Sequence, residues 1–233
     1  MLAANTVNRI LRLSGLNIQR WHDPLFDLQS LTGKDAIATM LDGGAYKGNK
    51  AIIMLELFPH AEVHCFEPQP EPFRNLQQRF CNEPRCSVMQ AALSDVGGAA
   101  QMFVTQNMYA SSLMKPIAMD IEARSVIDVV VTTIDQYMDK QGLRSFDFIK
   151  LDLQGNELKA LKGAAKALKS CKAILVEVNF RERYEGCTQF NQLYDVLADA
   201  GFCLYKIYEI HGYSDGSWKL GDGLFLKSEL LRE

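Results

Sequence analysis

The spacing of apolar residues along this chain changes near residue 37. Before it, Leu2, Val7, Ile10, Leu11 and Leu13 suit a helical face, and residues 1–33 read as one or two helices ahead of the main domain. Trp21 to Pro24 marks a break, because proline disfavours helical geometry in the residue before it. After residue 37, short apolar runs alternate with helical stretches. Strands are expected at 37–41, 62–66, 86–92, 146–151 and 173–178; helices are expected at 48–58, 71–80 and 156–168, where apolar residues lie three and four apart. Strands alternating with helices predict an α/β fold whose mostly parallel sheet is covered on both faces. Two further strands, 99–104 and 126–131, flank a polar loop from Thr105 to Arg124. Near the C-terminus, strands at 202–210 and 223–226 are joined by a Gly-, Ser- and Asp-rich segment, which predicts an antiparallel hairpin.

Composition narrows the picture modestly. The 233 residues suit one domain, 34–233, preceded by the helical extension. A net charge of −3 supplies no broad cationic field, so nucleic acid is not an expected partner. The six cysteines form no CxxC pair and lie at no metal-ligand spacing from the histidines, so no metal is assigned. They read as reduced thiols in a reducing, cytoplasmic compartment. No run approaches the roughly 20 apolar residues of a membrane span, and Arg9 and Arg12 interrupt the N-terminal apolar positions. That amphipathic segment is expected to pack on the domain, with a membrane-surface or homodimer contact as the alternative.

Candidate chemistry begins where the first strand ends, at Asp42-Gly43-Gly44-Ala45-Tyr46-Lys47-Gly48-Asn49. Glycines there let the backbone turn tightly against a ligand and start a helix whose free N–H groups face it. The dinucleotide fingerprint does not fit, because the positions two and five residues after Gly44 are Tyr46 and Asn49. An acid followed by glycines four apart fits the loop of methyltransferases. Asp42 suits a cofactor bearing an ammonium group better than a pyrophosphate. Glu67, ending the second strand in Phe66-Glu67-Pro68, is placed to accept hydrogen bonds from two ribose hydroxyls.

Together these segments resemble the opening motifs of the FkbM family of methyltransferases. Further pieces follow in family order: Ala92-Leu93-Ser94-Asp95 with Gly97, Ser111-Ser112-Leu113, Thr132-Thr133-Ile134-Asp135, and Val176-Glu177-Val178. Ile149-Lys150-Leu151-Asp152-Leu153-Gln154-Gly155-Asn156-Glu157 is close to the family's K-x-D-x-E-G-x-E signature, with Gln154 where an acid is usual. The resemblance covers roughly residues 37 to 227. It implies a Rossmann-like class I methyltransferase fold that binds S-adenosyl-L-methionine. The residues expected to bind that cofactor are Asp42, Gly43, Gly44, Tyr46, Gly48, Asn49, Glu67, Pro68, Ala92 and Asp152.

Methyl transfer from a sulfonium is an in-line displacement, so a catalyst aligns the acceptor and manages its proton. Lys150 and Asp152, two apart on a strand, share one face. Asp152 is the expected base or orienting group, Lys150 its electrostatic support, and His211 a further candidate base. The competing role for Lys150 and Asp152 is a structural ion pair at the sheet edge. Glu157 opens a helix, where a negative charge suits the dipole. Glu177 lies in an apolar strand and needs a partner, for which Lys150 is one candidate. Tyr109, Tyr213 and Trp218, among hydroxyl and amide side chains, suit a sugar. The resemblance implies an O-methyltransferase acting on a hydroxyl of a sugar, glycan or secondary metabolite. The alternatives are a nitrogen or carboxylate acceptor, or a non-catalytic cofactor-binding subunit.

Overall fold

A computed structural model describes residues 23–231. The expected helices within residues 1–22, and the membrane-surface or homodimer contact assigned to them, lie outside the described residues. Helix α1 (Pro24–Thr32) starts with proline in its first turn, and the Asp23 carboxylate accepts the Leu25 N–H at 3.0 Å.

The main sheet has seven strands: β1 (Thr39–Gly43), β2 (Glu62–Phe66), β3 (Cys86–Met89), β7 (Phe148–Leu151), β8 (Ala173–Asn179), β9 (Phe202–Gly212) and β10 (Trp218–Lys227). Their order is β3-β2-β1-β7-β8-β10-β9. The first five are parallel, and β10 runs antiparallel to both β8 and β9. Helices α2 (Asn49–Leu57), α3 (Pro70–Arg79), α4 (Ile134–Gln141), α5 (Glu157–Lys162), α6 (Ala167–Ser170) and α7 (Phe190–Asp199) connect and cover them.

Alternation along the strands splits the core into two layers. Met40, Phe148, Leu175 and Leu224 belong to the layer packed with α1, α2 and α3, whereas Leu41, Ile149, Ile174, Val176 and Phe225 belong to the opposite layer with α4 to α7. Burial on both faces explains why these strands read as nearly continuous apolar runs. The same alternation puts Asp42, Lys150, Asp152, Glu177 and Asp222 on the face of Met40 and Leu224, near the carboxyl ends of the parallel strands. Strand order reverses between β1 and β7, and in open α/β sheets ligands bind at that point.

A smaller sheet, β4 (Ala92–Leu93), β6 (Ala123–Thr132) and β5 (Gly98–Thr105), stands beside the first. The loop between β5 and β6 folds back over the main sheet. It is held there by Gln69 Nε2 donating to the Met108 carbonyl at 3.0 Å, Ser112 Oγ donating to the Gln154 carbonyl at 2.8 Å, and Tyr184 Oη donating to the Ala110 carbonyl at 2.8 Å.

Three expectations change. The strand expected at 86–92 is two, β3 and β4, in different sheets. The helix expected at 156–168 breaks between α5 and α6, at Gly163, where a Cβ would lie 2.3 Å from the Ser94 carbonyl. The hairpin connection is shorter than expected: His211, Gly212 and Trp218 to Asp222 are already in strands. Among the described residues, no helix is long and apolar enough to cross a membrane.

Candidate active site

Two clefts open at the carboxyl ends of the strands. The first encloses about 590 Å³ of empty space, open solvent included. Gly44, Tyr46, Glu67, Pro68, Ala92 and Asp152 line it, as do Gln69, Asn156 and the looped segment through Ser111 and Ser112. The second, about 1910 Å³, lies between that segment and the β9–β10 hairpin. Asn49, Glu177, Arg183, Glu209, His211 and Asp222 are on its wall. Tyr46, Tyr109, Asp152 and Gln154 line both.

In the first cleft, Gly44 has φ +74°, and a Cβ on it would lie 2.0 Å from the Asp152 carbonyl, so only glycine fits between β1 and β7. Gly48 is required for a different reason. Its Cβ would meet Phe80 at 2.5 Å and Leu76 at 2.7 Å, so it seats α2 against α3 and lines neither cleft. Gly43 is likewise hemmed by Leu93 and Leu151 and stands behind the wall.

Glu67 is 3% exposed; its Oε2 accepts the Tyr46 N–H at 3.0 Å and its Oε1 the Gln69 N–H at 2.8 Å. Burial pushes its carboxyl up to about 7 despite those two donors. Each oxygen keeps a second lone pair for a ligand hydroxyl. Gln69 Oε1 and Asn156 Oδ1 are buried on this cleft and have no partner among the described residues. A wall of unspent acceptors beside Phe66, Leu93 and Met102 fits a flat, partly apolar ligand carrying several donors. Adenosine with an amino-acid tail has that character, so S-adenosylmethionine fits these residues.

Asp42 and Lys150 are not part of either wall. Asp42 is fully buried, and Lys150 Nζ lies 3.0 Å from its Oδ1 and 3.9 Å from Asp152 Oδ2. Burial alone would lower the Lys150 pKa, but the Asp42 and Asp152 carboxylates outweigh it and hold the ammonium raised above its ordinary value. Lys150 also donates to the Gly44 carbonyl at 3.3 Å, tying the ion pair to the glycine turn. Glu177 therefore does not pair with Lys150. Its Oε1 accepts Gln154 Nε2 at 3.1 Å, and the same nitrogen donates to Asp152 Oδ1 at 2.7 Å. Gln154 thus bridges two carboxylates, a role its amide performs and a carboxylate in its place would not. Glu157 is fully buried and accepts the Leu153 and Gly155 N–H groups at 2.8 and 3.1 Å, bracing the turn after β7 away from both clefts.

The second cleft holds a feature the sequence did not announce. Tyr46, Gln154 and Glu209 are the non-glycine residues with positive φ among those described, at +48°, +54° and +46°, and all three line it. Each such conformation costs about 1–3 kcal/mol and persists where the surroundings over-determine it, often at functional sites. Asp222 lines the cleft beside them; its carboxyl is pushed up to about 7 by burial and then by Asp152 and Glu209. Among the described residues, no group of three or more histidine, cysteine or carboxylate side chains could hold a metal ion.

Comparison with known proteins identifies the family. The FkbM methyltransferase domain matches residues 42–204. The chain is 26% identical over 170 residues to the 2-O-methyltransferase NoeI of Sinorhizobium fredii, covering 68% of this chain and 70% of that one. It is 24% identical over 170 residues to the methyltransferase sdnD of Sordaria araneosa, covering 60% of this chain and 64% of the relative, slightly under two thirds of its length. Among solved structures, the Methanococcus jannaschii fibrillarin pre-rRNA processing protein superposes with a TM-score of 0.51 at 14% identity, covering 83% of this chain and 68% of that one. That likeness concerns the fold.

Proposed function

Because this chain belongs to the FkbM methyltransferase family and is an S-adenosylmethionine-dependent methyltransferase, we propose that it methylates a hydroxyl group on a sugar, glycan or secondary metabolite. The observation that carries the reading is the position of Asp152. It lines both clefts at once, with its side chain 41% exposed, so one carboxylate borders donor and acceptor together. The similarity to NoeI, a 2-O-methyltransferase, supports oxygen as the target.

In this reading residues 34–233 are the methyltransferase domain, and the first cleft holds the cofactor. Glu67 takes the ribose hydroxyls, the turn at Gly44 to Tyr46 approaches the amino-acid tail, and Pro68 and Ala92 border the base. Asp42, Gly43 and Gly48 act from behind, through the Lys150 pair and the packing of the turn. Bound there, the cofactor supplies an electrophilic methyl group on a sulfonium. Asp152 would hold the acceptor hydroxyl in line with that methyl group and accept its proton. Asn49 and His211 lie on the acceptor side, where His211 contributes to binding. Lys150 lies beneath Asp152, its Nζ 3.9 Å from Oδ2, and supplies a positive charge on that side. The free thiols fit a cytoplasmic setting.

The test is incubation of the purified chain with methyl-labelled S-adenosylmethionine and a panel of sugar, amine and carboxylate acceptors. Label appearing as a methyl ether supports the reading. Label appearing only on nitrogen or as a methyl ester overturns it.

A further inference from the structure

The acceptor cleft is charged unevenly. Arg183 and Lys219, its two strong cations, are both turned to Asp120: Lys219 Nζ donates to that carboxylate, and an Arg183 guanidinium nitrogen lies 3.8 Å from it. The carboxylates at the floor are less well matched: Arg183 acts on Glu177, and Lys150 and Lys50 on Asp222, more weakly than the neighbouring acids do. Asp222 on β10 is the direct cross-strand neighbour of Glu177 on β8, so two acids stand opposite each other on one face of an antiparallel ladder. Like charges in that position are destabilising. Glu177 is 7% exposed and its Oε2 is buried without a hydrogen-bond partner among the described residues, while Asp152 and Glu209 act on Asp222 more strongly than Lys150 and Lys50 do. Asp152, the third acid, shares Gln154 with Glu177 and feels Lys150 only at 3.9 Å.

A pair of facing, unspent carboxylates calls for a positive charge from outside the chain. A metal ion is the less suitable one, because no three ligating side chains converge among the described residues. An ammonium group requires no fixed coordination number and accepts carboxylates on several sides. Tyr109, edge-on to Tyr46 with centroids 6.3 Å apart at the mouth shared by the two clefts, adds an aromatic face that attracts an organic cation, while Lys47 stands over the Tyr46 ring at 5.2 Å.

We propose that the cleft between Glu177, Asp222 and Asp152 binds a protonated amine, and that the acceptor is an amine-bearing polyol methylated on a hydroxyl. This rests on the assignment of that cleft to the acceptor. An ammonium clasped by Glu177 and Asp222 has no lone pair and is not a nucleophile, so the neighbouring hydroxyl at Asp152 remains the group that is methylated. The neutral Gln154 contributes by holding Glu177 and Asp152 side by side without adding a third charge that would itself need a partner.

The experiment compares a matched pair of probes, glucamine and sorbitol, titrated into the protein saturated with S-adenosylhomocysteine, at about pH 8 where the amine of glucamine remains protonated. Glucamine is expected to bind more tightly than sorbitol by about tenfold or more. Asp222→Asn and Glu177→Gln are each expected to reduce that gap to about twofold or less while S-adenosylhomocysteine affinity, measured on the same preparations, stays put. Equal binding of the two probes, no binding of glucamine, or a gap that survives both substitutions overturns the inference. A magnesium-dependent gain in sorbitol binding without one for glucamine overturns it in favour of a metal. If the wild-type chain does not bind S-adenosylhomocysteine, the assignment of the clefts fails, and the inference fails with it.

Discussion

Lys150 on β7 is the register partner of Asp42 on β1, and their charges meet 3.0 Å apart beneath the floor of the cofactor cleft. The acid that opens the glycine loop is thus consumed by a lysine from the next strand, and its effect on a cofactor passes through the turn it anchors. Removing one member of a buried pair leaves the other uncompensated, which costs about 3–5 kcal/mol. Lys150→Met is therefore expected to lower Tm by roughly 10 °C in a chain of this size. Adding Asp42→Asn to it is expected to recover most of the loss. A thermal melt in which the double variant is less stable than Lys150→Met would show that the pair is not the reason.

Asp152 differs from that pair in being reachable. Asp152→Asn keeps the shape and the contact with Gln154 but removes the base, and general-base catalysis contributes typically about 10²–10⁴-fold. Turnover is expected to fall by that factor while S-adenosylhomocysteine affinity changes by about threefold or less. His211→Gln, on the strand wall away from the shared mouth, is expected to retain the wild-type dependence of kcat/KM on pH. If His211→Gln erases the acid limb and Asp152→Asn does not, the base is His211.

Gln154 supplies a sharper test of the same junction. Gln154→Glu replaces a donor to two carboxylates with a third carboxylate at a site that is 9% exposed. A like charge beside a base makes its proton harder to lose. The acid limb of kcat/KM is expected to move to higher pH, with a loss of about 10–100-fold near neutrality. Gln154→Met, which removes the donor without adding charge, is expected to lose activity with a smaller displacement of the limb. Identical profiles for the two substitutions would assign Gln154 a packing role only.

What was legible in the sequence follows from how local each signal is. Strand β2 is recovered at both ends, because its apolar run is bounded by Pro59 before and Pro68 after, and proline punctuates. Glu67 and Gly44 were legible because a strand end, a turn and a helix start are close in sequence and impose residue types. Helices α4 and α7 were not picked out, although both carry capping boxes, Thr133 with Gln136 and Gln189 with Gln192. The first of those signals was readable in the chain. The partner of Lys150 was not, because register between β1 and β7 is set by a hundred intervening residues. For the same reason the meeting of Glu177 with Asp222 required the hairpin to be placed against β8. Asp222 sat in a stretch that composition marked as a loop, and the ladder drew it into a strand.

Buried carboxyls give the last prediction, and its sign runs against habit. Glu67, Glu157 and Asp222 are each pushed up to about 7, with burial the largest cause in every case. Around Asp222, Asp152 and Glu209 add to the rise while Lys150 and Lys50 oppose it; around Glu67, the Gln69 and Tyr46 amides and Lys150 oppose it. Unfolded, these groups titrate near about 4. Between about pH 4 and 7 the folded chain therefore holds more protons than the unfolded one, and their contribution to stability is lost as pH rises. The cofactor-free protein is expected to melt at a higher temperature near pH 5.5 than near pH 8, and Asp222→Asn is expected to flatten that slope. Ribose hydroxyls donate best to an ionised Glu67, so affinity for S-adenosylhomocysteine is expected to rise over the same interval, and Glu67→Gln to abolish the rise. Calorimetric titration and melting on one buffer series separate the two effects. A Tm that climbs steadily from pH 5.5 to 8 would mean that these carboxyls are ionised in the folded chain, held by partners that the burial of their side chains conceals.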